Sequence, residues 1–227
     1  MTISAIIVAA GSSRRMGFDK LEADLRGETV LARSMMVLQA CPEVDEIRVV
    51  TGAEKIASVR AIAARLGLSK FVEALEGGSE RHLSVHAGLD RVGGGFGLVA
   101  VHDAARPLAT PEAIGRCAAA ASEFGAASLA HRVTDTLKRA NAAGEVRETV
   151  SRDDLWAMET PQIFESGLLR RAYETLLAHD KTVTDEVSAV EAIGHPVKLV
   201  ENTEPNLKIT VPADLALAEA ILAARER

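Results

Sequence analysis

Apolar residues recur along this chain in two alternating rhythms. Ile3 to Ala9 is a short unbroken apolar run that stops at Gly11-Ser12-Ser13. A run of that length ended by a turn signal predicts a strand buried on both faces, as in a parallel sheet. Val30, Leu31, Met35 and Leu38 then share one helical stripe, with Thr29 placed to cap its start. A second strand is expected over Glu46 to Thr51. A helix follows from Glu54 to Leu66, with Ile56, Val59, Ile62, Ala63 and Leu66 at helical spacing. Phe71-Val72 reads as a short strand and Ser79 to Leu89 as a helix. Gly93-Gly94-Gly95 breaks the chain before another buried strand, Leu98 to His102.

The second half continues the alternation. Thr110-Pro111-Glu112 is a helix start, a capping side chain followed by proline in the first turn. Ala126 to Ala130 predicts a strand. Residues 134–152 are polar, with Asn141-Ala142-Ala143-Gly144 between two β-like flanks, and predict a protruding hairpin arm. Helices are expected over Glu165 to Leu177, Asp185 to Ile193 and Pro212 to Ala224, and a strand over Val197 to Glu201. Strands alternating with helices give the fold class α/β: one Rossmann-like domain over residues 1–227 with a mostly parallel sheet and the arm inserted. No repeat or linker interrupts it.

Composition narrows this. A chain of 227 residues, 48% apolar, supports one sizeable core, and with aromatics at 3% that core rests on Ala, Val, Leu and Ile. The net charge of -6 and the lack of a long basic run exclude nucleic acid and an anionic membrane as expected partners. An anionic small molecule stays open if cations gather locally. Cys41 and Cys117 are isolated, which fits packed thiols in the reducing cytoplasm. The apolar start lacks a basic leader and is too short to span a bilayer.

The turn after the first strand is the first chemical candidate. It reads Ala9-Ala10-Gly11-Ser12-Ser13-Arg14-Arg15-Met16-Gly17-Phe18-Asp19-Lys20. Open α/β sheets place ligands at strand exits. Gly11 lets backbone approach a phosphate, consecutive N–H groups can line an anion nest, and Arg14, Arg15 and Lys20 add charge. A basic turn alone reads as solvated surface; behind a buried first strand it reads as a phosphate site. It matches neither the dinucleotide fingerprint nor the Walker loop. The second candidate is Val101-His102-Asp103-Ala104-Ala105-Arg106-Pro107, whose Asp103 would lie beside the first loop. A carboxylate there could hold magnesium, directly or through water; the alternative is a turn cap. Third, Gly77-Gly78 precedes a helix and permits a base or ribose to lie against backbone. His82 and His86 have zinc spacing on that helix but no further ligand nearby, so capping or exposed roles are preferred. A dispersed polar set remains: Asp135-Thr136, Arg152, Thr160-Pro161-Gln162, Thr184-Asp185-Glu186, and Lys208 between Leu207 and Ile209 in an extended stretch. No nucleophile elbow, acid–base pair or metal cage is visible. A reaction whose nucleophile is already an anion needs none; it needs cations and orientation.

Taken in order, these blocks resemble the 2-C-methyl-D-erythritol 4-phosphate cytidylyltransferase family of isoprenoid precursor biosynthesis. The likeness runs from Ser4 to about Ala224 and adds Arg81 with Ser84, Leu137-Lys138, Leu155-Trp156, and Asn206 to Thr210 with Pro212-Ala213-Asp214-Leu215. The resemblance implies transfer of CMP from CTP to methylerythritol phosphate. Ala9, Ala10, Gly11, Ser12, Gly77, Ser84, Asp103 and Ala104 would hold the nucleotide. Arg15 and Lys20 would stabilise charge on the α-phosphate. Arg152 and Lys208 would position the acceptor, with Asp103, Arg106, Thr136, Thr160 and Thr184 on the same side. Magnesium is the implied cofactor. A homodimer is implied too, in which the arm clasps the partner and Thr136 and Arg152 complete its site. The chain departs from the family at Asp19-Lys20-Leu21, where Pro-Lys-Gln is usual; there the loop is similar to that of the molybdenum-cofactor nucleotidyltransferases. Two other readings are a cytidylyltransferase for another polyol phosphate, such as ribitol 5-phosphate, and a CTP-binding protein without turnover.

Overall fold

The apolar run that opens the chain forms the middle of a sheet. A computed structural model describes residues 2–11, 17–179 and 182–226. Its elements, in chain order, are β1 (Ile3–Val8), β2 (Asp24–Leu25), β3 (Glu28–Thr29), α1 (Val30–Ala40), β4 (Val44–Thr51), α2 (Ile56–Arg65), β5 (Phe71–Glu76), α3 (Arg81–Asp90), β6 (Leu98–Asp103), α4 (Pro111–Phe124), β7 (Ala126–Arg132), β8 (Leu137–Ala140), β9 (Val146–Val150), β10 (Trp156–Glu165), α5 (Ser166–Ala178), α6 (Glu186–Glu191), β11 (Lys198–Glu201) and α7 (Pro212–Arg225). The main sheet has the order β11-β7-β10-β6-β1-β4-β5. Every pairing in it is parallel except those of β10, which runs against both β6 and β7. The architecture is therefore α/β with a mostly parallel sheet.

Alternation along β1 distributes its side chains between two helical layers. Ile3, Ala5 and Ile7 join Leu31, Met35 and Leu38 of α1 in one core cluster. Ile6 joins Val85 and Leu89 of α3, with Leu168 and Leu169 of α5, on the opposite face. Helix starts follow the sequence signals. Thr29 accepts from the Ala32 N–H at 3.1 Å and Thr110 from the Ala113 N–H at 3.2 Å. Helix α4 ends on Gly125, whose φ of 80° is left-handed.

Two expectations need correction. β5 continues to Glu76, well past the two residues Phe71-Val72. The whole of β10 was not expected, because Thr160-Pro161-Gln162 reads as a turn and proline argues against an interior strand. The strand accommodates the proline by interrupting its ladder. Its register with β7 shifts between Met158 and Gln162, and the Thr160–Pro161 bond is cis. Proline lacks an N–H, so it sits where no ladder donor is required.

β1 is also where the strand order reverses. The chain proceeds from it outward to β4 and β5, then returns to lay β6 on its other side. Such a switch point opens a crevice at the carboxyl ends of the flanking strands. Val8, the last residue of β1, is in register with Asp103, the last of β6. β8 and β9 form a separate two-stranded antiparallel sheet whose residues are almost all exposed. Its turn is built by Asn141 Oδ1, which accepts from the N–H groups of Ala143 and Glu145 at 3.1 and 2.9 Å, and by Gly144 at φ 81°. Among the described residues, no helix is long and apolar enough to cross a membrane.

Candidate active site

The exits of β1 and β6 and the β5–α3 turn enclose a cavity of about 330 Å³. Backbone bonds fix its floor: the Ala9 N–H donates to Val50 O at 2.7 Å and the Ala104 N–H to Val8 O at 3.1 Å. Ala9, Ala10 and Gly11 line it, as does Ser84 from α3. Gly77 stands just behind. A Cβ there would lie 2.6 Å from Ser84 Oγ and 2.9 Å from Ala10 Cβ, so glycine lets the β5–α3 turn close against the β1 exit. Lys20 lines the same cavity, and its ammonium donates to Ile209 O at 2.8 Å. Ala104 is buried and outside the lining, whereas Ala105 belongs to it.

Asp103 is the hub. Arg81 reaches its Oδ1 with Nε at 3.2 Å and Nη2 at 3.1 Å, while the Lys208 ammonium donates to its Oδ2 at 2.6 Å. Arg106 Nε adds a third cation at 3.9 Å. Burial alone would raise the Asp103 pKa, but Arg81, Lys208 and Arg106 outweigh it and hold the carboxyl well below its usual range. The side chain is therefore an anion at any working pH. Its N–H donates to Thr160 Oγ1 at 3.0 Å, and the Thr160 hydroxyl contacts His102 Nδ1 at 3.1 Å.

Asp103, Arg81 and Lys208 also line a second cavity of about 280 Å³ on the far side, with Arg106, Thr160 and Thr184. The expected acceptor residues thus divide. Asp103, Arg106, Thr160, Thr184 and Lys208 come together. Thr136 and Arg152 do not; both are exposed at the root of the hairpin, where Arg152 donates to Thr134 O. Arg106 is a strut as well as a cation, since Nη1 donates to Asn206 O at 2.7 Å and Nη2 to Met158 O at 3.1 Å. Its buried Nε has no hydrogen-bond partner among the described residues, and burial lowers the pKa of Arg106. Ser12 and Arg15 lie outside the described residues.

Several functional neighbours escaped sequence reasoning. Arg81 grips Glu186 with two bonds, Nη1 to Oε1 at 2.7 Å and Nη2 to Oε2 at 3.0 Å. Glu186 is fully buried, and the Tyr173 hydroxyl donates to its Oε1 at 3.1 Å. Burial works against the Arg81 charge, yet Glu186 and Asp103 together raise its pKa above the ordinary value. Gln162 anchors the start of α6: its Oε1 accepts from the Glu186 and Val187 N–H groups, both at 3.1 Å. The sequence blocks contained Arg81, Gln162 and Glu186, but nothing in linear spacing joins α3 to α6. Among the described residues His82 and His86 form no metal site; each lies 3.4 Å from one carboxylate, Glu80 and Asp90 respectively. Among the described residues, no three His, Cys, Asp or Glu side chains converge.

One anion ringed by cations, between two adjoining cavities at a sheet switch point, can hold two phosphorylated ligands end to end. Comparisons with known proteins agree in kind. A model of the 2-C-methyl-D-erythritol 4-phosphate cytidylyltransferase family matches residues 3–224. The chain is 39% identical to the protein of that name from Alkaliphilus metalliredigens, covering 99% of this chain and 94% of the relative. It is 42% identical to the one from Symbiobacterium thermophilum, covering 97% and 92%. Among solved structures it is similar to the 4-diphosphocytidyl-2C-methyl-D-erythritol synthase of Anaerococcus prevotii, with TM-score 0.86, 30% identity, and 97% and 96% of the two chains covered. It is also similar to the cytidylyltransferase of Thermus thermophilus, with TM-score 0.80, 31% identity, and 98% and 100% covered.

Proposed function

Because the chain belongs to the 2-C-methyl-D-erythritol 4-phosphate cytidylyltransferase family, we propose that it transfers CMP from CTP to 2-C-methyl-D-erythritol 4-phosphate, releasing pyrophosphate. The observation that carries this reading is the pair of cavities meeting at Asp103, Arg81 and Lys208. CTP occupies the first, its phosphates over the Ala9–Gly11 backbone and within reach of Lys20. The acceptor occupies the second, its phosphate drawn by Lys208 and Arg106. Its phosphate oxygen attacks the α-phosphorus in line. A new P–O bond forms, the bond to the bridging oxygen breaks, and the electron pair leaves with pyrophosphate. Lys20, and by the family resemblance Arg15, offset charge on the non-bridging oxygens. No general base is needed, since the nucleophile is already an anion.

Magnesium suits the donor set. It is commonly held by one or two carboxylates together with substrate phosphates and keeps several waters. Asp103 faces the cavity as such a carboxylate, engaged directly or through water. When bound, the ion neutralises triphosphate charge. We also infer a homodimer formed through the 137–150 hairpin. Its support is that hairpin's exposure, together with the absence of Thr136 and Arg152 from the lining of either cavity of their own chain. The unbridged buried thiols of Cys41 and Cys117, both pushed up to about 12 by burial, fit the reducing cytoplasm.

The test is pyrophosphate release over a panel of nucleoside triphosphates and polyol phosphates. The expected result is release with CTP and methylerythritol phosphate together. Release with ribitol 5-phosphate alone would replace the acceptor, and silence with every pair would leave a nucleotide-binding protein.

A further inference from the structure

Residues 202–209 belong to no helix or strand, yet they deliver Lys208 to Asp103. They are pinned on the far side by the Ile209 N–H, which donates to Ala105 O at 2.8 Å. On the near side the anchor is Glu159, a strand residue of β10 that is only 3% exposed. Its Oε2 accepts from the side-chain amides of Asn202 and Asn206 at 2.9 and 2.8 Å. Its Oε1 accepts from His131 Nδ1 at 2.7 Å. Asn206 is held at two further points by the acceptor cavity's own residues, Thr160 and Arg106. Its amide donates to Thr160 O at 3.0 Å, its carbonyl takes Arg106 Nη1 at 2.7 Å, and Arg106 Nη2 returns to Met158 O at 3.1 Å.

A buried carboxylate is costly unless its lone pairs are filled, and here three donors converge on one group. All three come from elements other than β10, so the charge fastens β7 and the 202–206 segment to the strand that carries Thr160. We propose that Glu159 is a positioning residue for the acceptor: its carboxylate oxygens fix Asn206, and through Asn206 the placement of Lys208 opposite Asp103. This rests on the reading of the second cavity as the acceptor site. Small displacements of a positioning group are enough to cost orders of magnitude in rate.

Steady-state kinetics of the full chain test it. Glu159→Ala is expected to raise KM for methylerythritol phosphate by about tenfold or more, with a clearly smaller rise in KM for CTP, since Lys208 lines both cavities. Glu159→Gln is expected to restore most of that loss, because its amide oxygen still accepts from Asn202 and Asn206 and its NH2 can donate to unprotonated His131. If Glu159→Ala does not fold, Asn206→Ala cuts the same link from the other side and is read identically. A lowered melting temperature with both KM values unchanged would overturn the proposal, as would equal rises in both. Wild-type protein that releases no pyrophosphate from CTP and methylerythritol phosphate would instead overturn the functional reading, and this inference with it.

Discussion

His102 shows how one residue ties acid stability to the site. Its ring is fully buried, with Nδ1 facing the Thr160 hydroxyl and Nε2 facing Arg106 O, both at 3.1 Å. With the carbonyl as an acceptor only, Nε2 carries the proton and Nδ1 accepts from Thr160, whose oxygen in turn accepts from the Asp103 N–H. Burial lowers the His102 pKa from 6.5 to about 4; Asp103 and the hydrogen bond to the Arg106 carbonyl pull it up, and the charges of Arg106 and Lys208 push it down. Between those values the unfolded chain binds a proton that the folded chain refuses. Stability therefore rises with pH across the window: the contribution is complete above 6.5 and lost as pH falls toward about 4. It is worth on the order of 3 kcal/mol. Denaturant titrations across the window should show this slope in the wild type and a flatter one in His102→Gln. Equal slopes would remove His102 from the account. At this scale Asp103, Lys20 and Lys208 were legible, because a charge at a strand exit or between apolar neighbours is locally conspicuous. Glu186, Tyr173 and Glu159 were not. Each acquires its role from donors on other elements, which only the folded chain assembles.

At the scale of elements, the β5–α3 turn sets the width of the first cavity, the one proposed to take CTP. Gly77→Ala places a methyl against Ser84 Oγ and Ala10 Cβ, and also 3.0 Å from Val50 Cγ1. Overpacking of this kind typically costs about 1–3 kcal/mol. Calorimetry should find CTP affinity reduced about tenfold or more, alongside a lower melting temperature. Gly11→Ala is the steric control, since no described residue lies within 4 Å of its added methyl, and its melting temperature should match the wild type. Wild-type CTP affinity in Gly77→Ala would mean that the turn does not limit the cavity. Elements with clean periodicity and side-chain caps, such as β1, α1 and α4, were readable from sequence. β10 was not, since Pro161 and its polar neighbours mimic a turn, and the bulge that accommodates them is a property of the pairing strands.

For the whole molecule, the inferred dimer makes a mass prediction. Sedimentation at working concentration should give twice the mass of one 24.0 kDa chain. Deleting the hairpin tip should give a monomer with impaired turnover; full activity in a dilute wild-type monomer would contradict a shared site. The direction of β10 has one more consequence. As it runs against β7, the two strands are the arms of one large hairpin, and residues 133–155 are its greatly lengthened turn, closed at the root by the Val133 N–H on Leu155 O at 3.1 Å. A parallel strand would have required a crossover back to the other end of the sheet. Here the excursion leaves β7 and re-enters β10 at the same end of the sheet, and closure entropy rises by only about 0.6 kcal/mol for each doubling of its length. The sheet is thus indifferent to what the turn contains. That root is a graft site, where a lineage or an engineer can exchange recognition elements while the sheet stays intact.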